Sequence, residues 1–158
     1  MTIFLGPNDI FGANDDTIEP TIDTILKHYD ELIAMARSAS PKTTIGALLP
    51  VPPAASQDAF GSNYAAGQTR WQYKRNQHRL VERMLEKYGS KKVAGVEIVP
   101  THLNLDCAYN YPAESVTPNA HATEKIARQN NGVHPSSAGY NQIGDSLYAW
   151  LKAQDSGK

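Results

Sequence analysis

The stretch Met1-Thr2-Ile3-Phe4-Leu5-Gly6-Pro7-Asn8-Asp9 decides the fold class that this sequence predicts. It opens with a short apolar run, and turn-forming residues follow from Gly6 onward. An apolar run that ends at a turn in this way is typical of a buried strand in a parallel sheet. Two later runs, residues 43–49 and 93–99, have the same character, and each ends at a proline. The sequence therefore predicts three buried strands.

Helical patterns separate and follow these strands. Apolar residues recur at helical spacing from residue 20 to about residue 38, and again from residue 69 to about residue 88. A third pattern ends near residue 151, and we expect residues 152–158 to form a frayed tail. Strands that alternate with helices predict one α/β domain over residues 1–158, with a parallel sheet and helices on both faces.

The composition narrows the classes of function. The chain has 158 residues, of which 41% are hydrophobic and 20% are charged, and its net charge is −1. A charge so close to zero argues against nucleic acid or a membrane surface as a partner. No run is long enough to span a bilayer. One basic cluster lies on the second predicted helix, where we expect a solvated face: Arg70, Lys74, Arg75, Arg79 and Arg83.

Metal and thiol chemistry have little support in the sequence. Cys107 is the only cysteine, so an intrachain disulfide and a cysteine metal cluster are both excluded. His102 and Asp106 could form a metal pair, but two ligands do not make a site. We expect no metal and no organic cofactor.

Two short blocks supply the candidate functional residues. Gly6-Pro7-Asn8-Asp9 follows the first predicted strand, and Asn131-Gly132-Val133-His134-Pro135 precedes the last predicted helix. Ligands of parallel sheets bind beyond the carboxyl ends of the strands, so both blocks should meet at that edge. Imidazole is the side chain best suited to move protons near neutral pH. Taken alone, each block could also be an ordinary turn without chemistry.

Together, the two blocks resemble those of the SGNH (GDSL-type) hydrolases. The first matches that family's Gly-x-Asn-Asp block, and the second is similar to its Asp-x-x-His block, which precedes a terminal helix. The resemblance implies a flavodoxin-like three-layer fold and ester hydrolysis through an acyl-enzyme. It implies that Asn8, in the block opened by Gly6, donates to the oxyanion, that Asp9 supports the turn, and that His134 is the general base.

The sequence departs from the family at the nucleophile. The family's Gly-Asp-Ser block should precede Gly6 by many residues, so we expect one or more amino-terminal strands and the serine to be missing. We therefore expect this chain to be inactive alone. Gly144-Asp145-Ser146 is excluded as a substitute, because it follows His134 and lies inside the last helical pattern. We read Ser136 and Ser137 as helix-capping residues.

A second departure concerns the acid of the triad. Asn131 occupies the position of the family's aspartate, and an amide cannot stabilise an imidazolium by charge. Asp106, on the loop of residues 101–130, is our candidate substitute.

The expected partner is an ester substrate, and an acylated carbohydrate is one candidate. Residues 2–5 should form an exposed strand edge that could pair with another chain. Two alternatives remain: a non-enzymatic module that binds a glycan or a protein, and a subunit that a second chain completes. The sequence leaves localisation open. The aromatic residues that could line a sugar cleft are Tyr64, Trp71, Tyr73, Tyr109 and Tyr111.

Overall fold

The computed structural model describes residues 1–63 and 67–156, with the side chains of residues 61–63 and 156 excepted. The described residues form a mixed α/β fold with a three-stranded parallel sheet and five helices. The strands are β1 (Thr2–Ile3), β2 (Ile45–Leu48), β3 (Val96–Val99), β4 (Ala113–Val116) and β5 (Ile126–Gln129). The helices are α1 (Pro7–Phe11), α2 (Ile18–Ala39), α3 (Asp58–Asn63), α4 (Arg70–Tyr88) and α5 (Ser137–Ser156). Among the described helices, none has the length and apolarity needed to cross a membrane.

The parallel sheet has the strand order β1-β2-β3. Thr2 pairs with Gly46, and Ile45 pairs with Val96. All four residues of β2 are buried, which explains why this strand is apolar along its whole length. The prediction of three parallel strands is therefore confirmed, although each observed strand is shorter than its apolar run.

Side chains of β2 point alternately to two sides of the sheet. Ile45 and Ala47 belong to one core cluster with buried residues of α2 and α4. Gly46 faces the other way, toward Trp150 of α5 and the side chain of Val99. A Cβ atom at Gly46 would lie 3.0 Å from the Trp150 ring and 2.9 Å from Val99, so only glycine lets α5 approach this closely.

The last helix corrects one prediction. Helix α5 continues to Ser156, so the expectation of a frayed tail is wrong for residues 152–156, while residues 157–158 lie outside the described part. The end of the helix is held to β3 by Glu97, whose Oε2 accepts hydrogen bonds from Trp150 Nε1 at 2.9 Å and Gln154 Nε2 at 2.6 Å. These two contacts order a segment whose polar sequence suggested fraying.

The two long predicted loops contain further elements. Helix α3 lies within residues 54–68, and β4 and β5 form an antiparallel pair within residues 101–130. Most residues of β4 and β5 are exposed or half-buried, so no apolar pattern marks them. Gln129 is the buried residue of this pair, and its amide bonds with the backbone of Ser56, Cys107 and Ala108.

Two buried amides of α4 hold the loops at the carboxyl edge of the sheet. Asn76 Nδ2 donates to the carbonyl oxygens of Ile10 at 3.0 Å and Ala13 at 2.7 Å, so it fixes the end of α1. Gln77 Nε2 donates to the carbonyl oxygen of Pro50 at 2.6 Å, just beyond β2. Helix α4 therefore sets the position of both segments.

We expect Asn76→Ala to lower the free energy of unfolding by about 1–3 kcal/mol, because it removes the side-chain donor to the Ala13 carbonyl oxygen and one of the donors to the Ile10 carbonyl oxygen. Urea unfolding monitored by circular dichroism measures the change. Lys74→Ala is the matched control: Lys74 lies on the same helix but is exposed, and its substitution should change stability by less than about 0.5 kcal/mol. Equal effects of the two substitutions would contradict this account.

The basic cluster on α4 is largely paired rather than simply solvated. Arg75 contacts Asp15 at 3.4 Å, Arg79 pairs with Glu19, and Arg83 pairs with both Glu19 and Asp23. These acids lie on α2 or just before it. An ion-pair ladder thus joins α2 to α4 on the side of these helices that faces solvent.

This ladder predicts a loss of stability in acid. The hydrogen bond from Arg79 is the main reason that the pKa of Glu19 lies below its usual value. A carboxyl group with a lowered pKa in the folded state stabilises the fold above its unfolded pKa of about 4.3, and this stabilisation is lost as the pH falls through the folded pKa. Glu19→Gln should therefore flatten the fall in unfolding free energy below about pH 5, by at most about 1 kcal/mol. Urea titrations across that pH range test this, and an unchanged slope would contradict it.

Candidate active site

The first block forms the start of α1, just beyond β1. Gly6 precedes the helix with a φ of +114°, and Pro7 is its first residue. A Cβ atom at Gly6 would also lie 2.6 Å from Leu80 Cδ2, so both the backbone conformation and the packing require glycine. Ile10 N donates to the Gly6 carbonyl oxygen at 3.0 Å. The block is therefore a strand-to-helix junction with a fixed backbone.

Tyr29 of α2 anchors the residue before this block. Its hydroxyl accepts a hydrogen bond from Leu5 N at 3.2 Å and lies 3.3 Å from the Leu5 carbonyl oxygen, to which it donates. Burial raises the pKa of Tyr29, which keeps the hydroxyl proton in place for that donation. Asn8 and Asp9 follow this anchored backbone, and both side chains are exposed.

The second block is a tight turn organised by Asn131. Its Oδ1 accepts hydrogen bonds from the backbone N–H groups of Val133 at 3.1 Å and His134 at 2.9 Å. Gly132 packs beneath the ring of Phe60, where a Cβ atom would lie 2.6 Å from two ring carbons. The Gly132 carbonyl oxygen accepts from Ala54 N at 3.0 Å. The turn is thus fixed on both sides, and the His134 side chain is exposed at its tip.

Ser136 joins this turn to α5. Its Oγ accepts from Gly139 N at 3.4 Å, and it donates to the Asn110 carbonyl oxygen at 3.1 Å. The predicted capping role is confirmed for Ser136. The contacts of Ser136 therefore fix the start of α5 directly after the turn that carries His134.

The two blocks meet in one pocket of about 260 Å³. Gly6, Asn8, Asp9 and His134 all line it, although His134 lies far from the others in sequence. The convergence of these residues at the carboxyl edge of the sheet is what the strand order predicted. The remaining lining residues are Phe4, Leu5, Pro7, Val51, Tyr73, Val133, Pro135, Tyr140 and Ile143.

Asn8 and His134 are both available to a ligand. Within residues 1–63 and 67–156, neither the Asn8 amide nor the His134 imidazole makes a side-chain hydrogen bond, and no carboxylate forms an ion pair with His134. An amide can donate to an oxygen that becomes negative, and an imidazole can accept and return a proton. The pocket therefore contains one group that can donate a hydrogen bond to an anionic oxygen and one that can exchange a proton.

The two residues expected to support His134 have other contacts. Asp106 Oδ1 accepts from the backbone N–H groups of Ala108 at 2.9 Å and Tyr109 at 3.0 Å, which closes a turn in the loop. Asp106 does not line the pocket with His134, nor does Asn131, whose Oδ1 bonds the backbone of its own turn. Their roles toward the imidazole stay predictions.

Ser146 is confirmed as part of α5 rather than of the pocket. It is 5% exposed, and its Oγ accepts a hydrogen bond from Asn104 Nδ2 at 2.8 Å. A buried hydroxyl in the middle of a helix cannot reach a substrate at the carboxyl edge of the sheet. The described lining of the pocket contains no serine.

The sequence did not indicate the apolar wall of the pocket. Val51 follows β2, while Tyr140 and Ile143 lie on α5, one and two turns after the histidine turn. The available signal for these residues was their place in the sequence, after the end of β2 or after the histidine turn. This signal is weak, because apolar residues of a helix are usually assigned to the core. Of the aromatic residues proposed for a sugar cleft, only Tyr73 lines this pocket among those described, and Tyr64 lies outside the described residues.

In the described part of the chain, the other titratable groups do not form a second candidate active site or metal site. Burial is the main cause that raises the pKa of the Cys107 thiol, which disfavours a thiolate. Burial, followed by the charge of His78, lowers the pKa of His102 and favours its neutral form. Nowhere in residues 1–63 and 67–156 do three metal-ligating side chains come together.

Comparison with known proteins gives a fold likeness alone. No protein-family model matches the sequence. No curated protein matches it. A solved protein from Streptococcus pneumonia, provisionally described as a platelet activating factor, has a similar structure with a TM-score of 0.59 and 18% identity. The likeness covers 95% of this chain, and this chain spans 58% of the length of that protein.

Proposed function

We propose that Asn8 and His134 form part of the active site of an SGNH-type serine esterase. In this proposal, His134 takes the proton from a serine hydroxyl as its oxygen attacks the ester carbonyl carbon. The Asn8 amide donates to the carbonyl oxygen as it becomes negative. His134 then returns the proton to the leaving alcohol, and water releases the acyl group by the same route.

One observation supports this proposal above the others. Asn8 and His134 line a single pocket, and both side chains are free to bond with a ligand. The positive φ of Gly6 and the two hydrogen bonds accepted by Asn131 define the backbone conformation of the two blocks, which suits groups that must be placed before the reaction begins.

In this proposal the nucleophile comes from outside residues 1–158, and no serine lines the pocket among the residues whose side chains are described. We propose that the fold is the carboxyl-side part of a three-layer domain, with α2 and α4 on one face of the sheet and α5 on the other. Strand β1 lies at the edge of the sheet, and the nearby Phe4 and Leu5 are 39% and 44% exposed. A further strand that ends in the serine would pair along this edge.

The second candidate is a module that binds its ligand without cleaving it. The surroundings of His134 favour this second candidate, since no described carboxylate bonds with its imidazole. A base without an acid partner works less well, by about 10⁴-fold in a serine protease. In that case the pocket would hold an ester, a glycan or a protein segment, with Asn8 and His134 as polar contacts.

The DNA upstream of the Met1 codon separates the two candidates. Under the esterase proposal, an open frame there, or a neighbouring gene, encodes Gly-Asp-Ser after an apolar strand. The extended protein, meaning that frame joined to residues 1–158, should then react with a fluorophosphonate at this serine and gain the mass of one adduct. A genome without such a block, or an extended protein that the reagent does not label, would remove the esterase proposal and favour the binding module.

A further inference from the structure

The pocket that holds Asn8 and His134 is mainly apolar. Its floor is formed by side chains that are almost fully buried: Val51 is 7% exposed, Tyr73 1% and Ile143 9%. Phe4, Leu5 and Tyr140 also line it and are partly exposed. The charged or amide side chains of the described lining are Asn8, Asp9 and His134, all in the two blocks, and the other polar side chains are the tyrosines Tyr73 and Tyr140.

We infer that this pocket holds the acyl chain of the ester and selects straight chains of about six to eight carbons. An apolar cavity of about 150 Å³ holds a benzene ring. A pocket of about 260 Å³ therefore has room for a somewhat longer chain, whereas the end of a long fatty-acid chain would extend beyond its walls. This inference rests on the proposed function, because it assumes that the carbonyl group lies between Asn8 and His134.

The chemistry of the walls favours an alkyl chain over a sugar in this space. A sugar ring needs several hydrogen-bond partners, and burying its hydroxyl groups without them is costly. In the proposed reaction Asn8 bonds with the ester carbonyl oxygen and His134 bonds with the serine hydroxyl and then the leaving alcohol, so mainly carbon atoms surround the rest of the pocket. If the substrate is an acylated carbohydrate, its sugar lies outside the pocket and its acyl chain inside.

Straight-chain carboxylates, the products of such a reaction, test the inference on residues 1–158 alone. We expect acetate, butyrate, hexanoate and octanoate to perturb the NMR signals of the His134 ring and the Ile143 methyl groups. Each added methylene should tighten binding about two- to fourfold, because burying one is worth about 0.8 kcal/mol. The gain should stop near octanoate, where the pocket is full. Equal affinity for all four acids, or no shift at His134 and Ile143, would overturn the inference.

A pair of exposed tyrosines on α5 supplies a matched control. Tyr140 lines the pocket and is 51% exposed, whereas Tyr148 is 65% exposed and lies outside the pocket. We expect Tyr140→Ala to weaken octanoate binding about fivefold and to leave acetate binding unchanged. Tyr148→Ala should change neither. Both positions are exposed enough for the variants to fold, and circular dichroism checks that they do. An equal loss in both variants would overturn the inference.

Failure of the acyl-chain inference and failure of the proposed function give different results. If the extended protein cleaves esters but carboxylate affinity does not depend on chain length, the acyl-chain inference fails alone. If affinity rises with chain length but the extended protein cleaves no ester, the proposed function fails, and the pocket remains an alkyl-binding site.

Discussion

Gly139→Ala is expected to lower the free energy of unfolding by about 3 kcal/mol, the upper part of the usual range for overpacking. Gly139 lies in the first turn of α5, against the loop that ends at Asn110. A Cβ atom there would lie 2.5 Å from the Asn110 carbonyl oxygen, 2.7 Å from Pro135 Cβ and 3.0 Å from Leu105 Cδ1. The closest of these atoms belongs to the backbone, so α5 or the loop must move. Because Pro135 directly follows His134, this movement should also displace the imidazole.

Gly144→Ala is the matched control on the same helix. A Cβ atom at Gly144 would have no neighbour within 4 Å, so alanine should stabilise the helix by about 0.5–1 kcal/mol. Urea unfolding of the two variants measures both effects, and the carboxylate titration reports on the position of His134. Similar stability of the two variants would show that α5 does not pack against residues 105–110 as described.

His134→Ala in the extended protein is expected to lower kcat by roughly 10⁴- to 10⁶-fold, as removal of the general base does in serine hydrolases. Asn8→Ala should lower kcat by about 10²–10³-fold, the usual effect of removing one oxyanion donor. Both residues act on the transition state in this proposal, so KM should change much less than kcat. Steady-state rates with p-nitrophenyl butyrate measure these changes.

His121→Ala is the control for the histidine substitution. His121 is exposed on the loop between β4 and β5 and does not line the pocket, so its removal should leave kcat and KM unchanged. The double variant Asn8→Ala/His134→Ala should lose less than the product of the single effects, because groups that act on one transition state are not additive. Fully multiplicative losses would argue that the two residues act in separate steps.

The parts of the fold with strong apolar periodicity could be predicted from the sequence. The run around Ile45–Leu48 is buried on both faces, and the stripes of α2 and α4 face the same core, so their patterns directly reflect burial. Threonine is a common N-cap residue, and the Thr69 side chain at the start of α4 accepts from Gln72 N at 3.1 Å. The two candidate blocks meet at one edge because parallel strands place their carboxyl ends together.

Polar contacts over long sequence distances could not be predicted. The β4–β5 pair has little apolar pattern, and the buried Gln129 amide that anchors it bonds to backbone groups of two other loops. The end of α5 depends on Glu97, a residue of another strand. The carboxylate of Asp106 was expected near His134, but it closes a local turn, a choice that its own sequence neighbourhood does not reveal.

We propose that residues 1–158 hold the base and the oxyanion donor of an esterase but not its nucleophile. The most direct test compares p-nitrophenyl butyrate hydrolysis by the 158-residue chain and by the extended protein under the same conditions. We expect the 158-residue chain to show only the rate of the buffer, and the extended protein to turn over the ester. Turnover by the 158-residue chain at the rate of the extended protein, or an extended protein that retains full activity after its Gly-Asp-Ser serine is changed to alanine, would contradict the account.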